Sequence, residues 1–220
     1  MNKFETLKLF YNRYNYKISI KNSLGSIFRD KNLTFARDEL DKLQYMHEGK
    51  DYPLTILRGL RTINVPFDDF LTAKFLLSEF EKQQDYKLRV ENPDLSIYTN
   101  NKSWIESLLE NRLLNVYGVY YPSPDTTLEK NTIIIDHPFP YEYKVGLKDR
   151  VDPTLARWIK NNKDKVKIGP VALRTIEQNG YCRGFYFYVK NDKILQLVNI
   201  MINGSIARVD KIISRANIDK

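Results

Sequence analysis

Two sets of residues in this chain are of types that do chemistry. The first is Arg183-Gly184-Phe185-Tyr186-Phe187-Tyr188-Val189-Lys190, four aromatic rings in a row between cations. Flat rings beside positive charge suit single-stranded nucleic acid, because every base has a face to stack and every nucleotide a phosphate. The second set is Asp125 with, further along, Glu142-Tyr143-Lys144. Two carboxylates can share a Mg²⁺ ion, and a nearby lysine can position or activate the attacking water. Glu142 and Lys144 stand two apart, so a strand would carry both on one face.

Other chemistries lack their residues. His47 and His137 are the only histidines, too few and too isolated for a zinc site. Cys182 is the only cysteine, which excludes an internal disulfide and a thiolate cluster; it reads as a small buried apolar residue. No phosphate-binding G-x-x-x-x-G-K-[ST] loop, G-x-G-x-x-G fingerprint or G-x-S-x-G elbow occurs. No cofactor and no metal are expected.

The chain of 220 residues can bury a substantial core, as one domain or as two small ones. Hydrophobic residues make up 42% and charged residues 28%, the balance of a folded chain. A formal charge of +8 favours an anionic partner: nucleic acid, an acidic protein or a membrane surface. The helices that can be read have ordinary core-facing stripes without a strongly basic face, so no membrane contact is expected. A polar N-terminus and the lack of a long apolar run predict a soluble, intracellular, cytoplasmic protein. Abundant Asn, Lys, Ile and Tyr suggest an AT-rich genome, such as many phages have.

The elements that must position these residues follow from periodicity and turn chemistry. Alternation predicts strands over 14–20, 86–90, 95–98, 116–121, 132–135, 141–147 and 206–213, with Asn92-Pro93-Asp94 turning a hairpin. Helices are predicted after Asn32 or Thr34, with a stripe of Phe35, Ala36, Leu40 and Leu43, and after Asp68-Asp69, with Phe70, Ala73, Leu77 and Phe80. Asn100 or Asn101 caps a third, bearing Trp104, Ile105, Leu108 and Leu109. Asp152-Pro153 starts a fourth, bearing Leu155, Trp158 and Ile159. Two more cover 170–178, stopped by Asn179-Gly180, and 192–202, stopped by Asn203-Gly204. The stretch 53–63 is ambiguous.

This order predicts an α+β fold of two ferredoxin-like βαββαβ units in tandem, antiparallel sheets packed by helices. The expected divisions are 1–121 with an inserted helix, a linker and hairpin region over 122–140, and 141–220. In the second unit a helix over 170–178 would replace or extend the second strand.

The second unit resembles an RNA-recognition-motif domain in length and element order. Arg183-Gly184-Phe185-Tyr186-Phe187 is similar to that family's RNP1 string, Lys/Arg-Gly-Phe/Tyr-Gly/Ala-Phe-Val-x-Phe/Tyr. Tyr143-Lys144-Val145-Gly146-Leu147 is the nearest candidate for its RNP2 hexamer. The resemblance implies that Phe185 and Phe187 stack bases and that Arg183 meets a phosphate. The ordinary burial rule reads the same strand the other way. Alternation puts Phe185, Phe187 and Val189 on one face and Tyr186, Tyr188 and Lys190 on the other, and the second set is the costlier to bury.

Three functions follow as expectations. One is a non-enzymatic protein that binds nucleic acid, single-stranded RNA or DNA rather than duplex, through an aromatic and basic sheet face. Its contact residues are drawn from Arg183, Phe185, Tyr186, Phe187, Tyr188, Lys190, Arg208 and Lys211. The second is a structural or assembly component of a larger complex such as a phage virion, with tyrosines packed against protein partners. The third is a Mg²⁺-dependent nuclease, since Pro124-Asp125 with Glu142-Tyr143-Lys144 fits the letters of the PD-(D/E)xK pattern.

Overall fold

A computed structural model describes residues 1–47, 54–124, 127–202 and 204–214. Asp125 and Asn203, named above, lie outside the described residues. Contacts divide the chain into two units, Met1–Thr127 and Leu128–Lys220. Each is an α+β unit with one five-stranded sheet and its own hydrophobic cluster.

In the first unit, strands β1 (Asn2–Thr6), β2 (Tyr16–Lys21), β5 (Tyr86–Glu91), β6 (Asp94–Thr99) and β7 (Val116–Pro122) form a sheet in the order β1-β7-β2-β6-β5. β1 runs parallel to β7, and every other pair is antiparallel. Between β2 and β5 lie a 3-10 segment (Gly25–Lys31), α1 (Leu33–His47), the hairpin β3 (Thr55–Arg58)–β4 (Arg61–Asn64) and α2 (Phe67–Lys82). α3 (Lys102–Glu110) joins β6 to β7.

The apolar periodicity explains the packing. Phe70, Ala73, Leu76, Leu77 and Phe80 of α2 and Trp104, Ile105 and Leu108 of α3 bury against Ile18, Ile20, Ile97 and Val119 of the sheet. Phe80 stacks on Tyr86 with ring centroids 5.2 Å apart, and the Trp104 indole N–H donates to Glu79 at 3.0 Å. Asn32 caps α1 by accepting from the Phe35 N–H at 3.0 Å. Phe35 itself is exposed, a correction to the expected stripe, because the cap places it at the outward start of the first turn. Asn101 caps α3 by accepting from the Trp104 N–H at 3.0 Å, a bond worth about 1 kcal/mol. The stretch that periodicity left open is the β3–β4 hairpin, turned at Gly59 with φ +60°.

In the second unit, β8 (Thr132–Ile135), β9 (Tyr143–Leu147), β10 (Val166–Ile168), β11 (Tyr186–Val189) and β12 (Ile206–Ser214) form a sheet in the order β10-β11-β9-β12-β8. β8 runs parallel to β12 and the remaining pairs are antiparallel. α4 (Pro153–Asn161) follows β9, α5 (Pro170–Glu177) follows β10, and α6 (Asp192–Met201) joins β11 to β12. Asp152 caps α4, accepting from the Thr154 N–H at 2.7 Å, and Asn191 caps α6, accepting from the Ile194 N–H at 3.1 Å. Leu155, Ala156 and Ile159 of α4, Ile176 of α5 and Leu195 and Val198 of α6 bury against Val145, Leu147, Phe187 and Val189. Contrary to expectation, α5 neither replaces nor extends the second strand. Val166–Ile168 forms a strand of its own, and α5 is an addition after it.

No helix among the described residues is long and apolar enough to cross a membrane.

Candidate nucleic-acid interface on the open sheet face

The charge of the chain is unevenly shared. Of its 35 Lys and Arg and 27 Asp and Glu, the first unit holds 18 and 17, the second 17 and 10. Nearly all of the +8 therefore resides in the second unit, which also holds the aromatic strand.

The strand is shorter than its sequence promised. Arg183 and Gly184 form a β-turn closed by the Phe185 N–H donating to the Cys182 carbonyl at 3.0 Å, with Gly184 at φ +90°. A positive φ at the third turn position is the type II geometry that glycine serves. The Arg-Gly that opens the RNP1-like string is thus a turn, and the regular strand begins at Tyr186, although the Gly184 N–H and the Phe185 carbonyl already bond to Leu147 of β9.

Burial decides the orientation. Phe187 is 0% exposed and sits in the core beneath α4 and α6, so it cannot stack a base as the resemblance implied. Phe185 is half-buried against the same core. Tyr186 is 44% exposed and Tyr188 half-buried, on the face the helices leave open. Burying two phenylalanines costs less than burying two phenols and an ammonium, and the apolar pair has gone inside.

Registers build the rest of that face. Tyr188 stands opposite Lys167 of β10 and, on its other side, opposite Lys144 of β9. A Lys–Tyr–Lys row therefore crosses three neighbouring strands. The Lys144 ammonium lies 3.8 Å from the centroid of the Tyr186 ring. Tyr186 and Tyr188 meet edge to face at 5.5 Å. The segment before β9 folds back over the row: Phe139 meets Tyr188 at 5.0 Å and Tyr141 meets it at 6.4 Å. Lys167 in turn lies 5.4 Å from the Phe139 centroid. Burial, with Tyr186 next to it, pushes the Tyr188 phenol above the ordinary tyrosine range.

Two clefts flank β10, and Lys167 and Ile168 line both. The larger, about 480 Å³, is walled by Phe185, Tyr186, Tyr188, Pro170 and Val171. The smaller, about 260 Å³, adjoins Tyr141 and carries Lys160, Lys163 and Lys167 on its rim. An apolar slot for a ring beside a lysine-lined groove has the composition of a nucleotide site.

The remaining expected contacts are scattered. Arg208 is on the open face, opposite Gly146, but it is ion-paired with Asp210. Lys211 stands opposite Tyr143, whose side chain packs on the core, so it belongs to the helix side and leaves the platform. Arg183 is exposed in the turn ahead of the strand. Lys190 is exposed just past the strand's end, its N–H given to the Lys165 carbonyl at 3.0 Å.

Phe139, Tyr141 and Lys167 escaped sequence reasoning. The signals were an aromatic residue clamped between Pro138 and Pro140, and a lone cation alternating with Val166 and Ile168. As for the carboxylate set, Lys144 lies with the tyrosine rings, and the described residues contain no group of three or more His, Cys, Asp or Glu that could hold a metal ion. Comparison with known proteins finds no matching family model, no similar curated protein and no similar solved structure.

Proposed function

We propose that the chain is a non-enzymatic protein that binds single-stranded nucleic acid through the open sheet face of its second unit. The observation that carries this reading is the Lys167–Tyr188–Lys144 row, with exposed Tyr186 beside it, on the sheet of the more basic unit. Bases stack on Tyr186 and enter the adjoining cleft, while Lys163 and Lys167 meet phosphates along the β10 edge. Open rings with few fixed donors favour splayed single strands over duplex, whose bases are already stacked.

The same reading takes each unit as ferredoxin-like. Its support is strand order: without β1 and β8, the core strands numbered along the chain lie 4-1-3-2 across both sheets. A helix joins the first core strand to the second, and another joins the third to the fourth. The likeness to an RNA-recognition motif then rests on element order and a ring-bearing open sheet, with Tyr186 and Tyr188 in place of Phe185 and Phe187.

The test is fluorescence anisotropy with labelled single-stranded RNA, single-stranded DNA and duplex DNA, at two salt concentrations with EDTA present. The expected result is salt-sensitive binding to single strands that needs no divalent ion. Absence of binding at low salt would overturn the reading and leave the face as a protein assembly surface. Cleavage on adding Mg²⁺ would point to the nuclease instead.

A further inference from the structure

The first unit repeats the constellation just described, although no residue-level repeat links the two halves of the sequence. In its sheet Tyr98 of β6 stands opposite Lys87 of β5 and, on its other side, opposite Lys17 of β2. These are the same three strand positions that hold Tyr188, Lys167 and Lys144. The segment before β2 folds back over the tyrosine, as the segment before β9 does: Phe10 meets Tyr98 at 5.4 Å and Tyr11 meets it at 4.9 Å. The outer-strand lysine again lies over a ring of that segment, Lys87 at 4.4 Å from the Tyr11 centroid. Lys17 sits 4.7 Å from the Tyr120 centroid and 5.8 Å from that of Tyr98.

We propose that the open face of the first unit is a second contact surface for single-stranded nucleic acid. The proposal rests on the reading of the second unit's face given above. Exposed rings are present for stacking: Phe4, Tyr11 and Tyr117 stand on or beside this face. Cations flank them in Lys17, Lys21, Lys87 and Arg89. The carboxylates of the same rows are Glu91, engaged by Arg89, and Asp94, which leaves a positive surplus against a phosphate chain. The near-neutral charge of this unit as a whole makes the contact weaker than its counterpart, and confined to that face.

The test compares the full chain with K17A/K87A and with K144A/K167A, titrated against labelled polythymidine of about 30 nucleotides, several footprints of one sheet. Both double variants should weaken binding. Each should lower the slope of log affinity against log salt by about 1.4, roughly 0.7 for each phosphate of a single strand that a lysine no longer neutralises. K87E, at an exposed position that burial does not constrain, should weaken binding in the same direction, and K17R/K87R should restore it. If K144A/K167A weakens binding while K17A/K87A and K87E leave affinity and slope unchanged, the second surface is overturned and the proposed function stands. If the unaltered chain shows no salt-sensitive binding, both fall. If K87E instead dissociates an oligomer of the chain, this face is a protein interface and the proposal is overturned.

Discussion

The Lys144 ammonium lies 3.8 Å from the centre of the Tyr186 ring, so the most exposed ring of the aromatic strand is held in place by a cation from the neighbouring strand. Such a contact is worth about 0.5–1 kcal/mol at a surface. Its larger effect is positional, since a fixed ring loses less freedom when a base stacks on it.

Tyr186→Ala should reduce affinity for single strands by about 1–3 kcal/mol, the cost of one stacked base, and Tyr186→Phe should retain most of it. Neither changes the charge, so the salt dependence should stay as it is. Lys167→Ala should do the reverse, lowering the salt slope by about 0.7. Anisotropy titrations across a salt series separate the two; a Tyr186→Ala protein that binds normally would remove the platform.

Phe187→Ala should destabilise the second unit by about 3–5 kcal/mol, because the ring is wholly enclosed in the core. Urea unfolding followed by far-UV dichroism measures this. If Phe187 met bases as the RNP1 resemblance implies, the variant would lose binding and keep its stability.

Gly184→Ala should cost about 1–2 kcal/mol, since the turn holds this residue at φ +90°, outside the range an L side chain favours. Open space surrounds the position, so the penalty lies in the backbone and a larger residue should cost little more than alanine. A series of substitutions at 184, each melted thermally, tests that flatness.

Alkaline pH should weaken the first unit. Burial pushes Tyr86 up to about 12, aided by the charge of Glu81, and pushes Tyr98 up to about 12, aided by Tyr11. An unfolded tyrosine ionises near 10. Both phenols hold their protons where the unfolded chain has lost them, so their contribution is whole below about pH 10 and fades as pH climbs to about 12. Denaturation followed by Trp104 fluorescence in a Trp158→Phe background should show this fall, and Tyr98→Phe should flatten it. Spectrophotometric titration in which all 15 tyrosines ionise together near pH 10 would contradict it.

Cys182 should resist thiol reagents in the folded protein. It is fully enclosed, its thiol donates to the Gly180 carbonyl at 3.4 Å, and burial raises its pKa. Modification should be slow in buffer and fast in denaturant; equal rates would mean that the turn after α5 opens freely.

Local chemistry made much of the fold legible. The caps at Asn101 and Asp152 and the stripes on α2 and α3 are short-range signals, and they fell where periodicity placed them. Burial preference alone oriented the aromatic strand correctly. What stayed hidden depends on partners distant in sequence. β1 presents mostly exposed residues, so no buried alternation announces it, and β10 has only three residues. The Lys–Tyr–Lys rows exist only once register is known, because each draws its members from three separate strands. The Arg183-Gly184 pair misled for the converse reason: a turn and a strand start with the same letters.

The parallel edge strands carry a consequence for biosynthesis. Asn2–Thr6 finds its partner in Val116–Pro122, and Thr132–Ile135 finds its own in Lys211–Ser214, so in each unit the first strand translated pairs with the last. Such distant pairings close slowly, since a large loop must be ordered before they form. As the chain leaves the ribosome, each sheet therefore assembles from its centre and keeps an open edge until its final strand emerges.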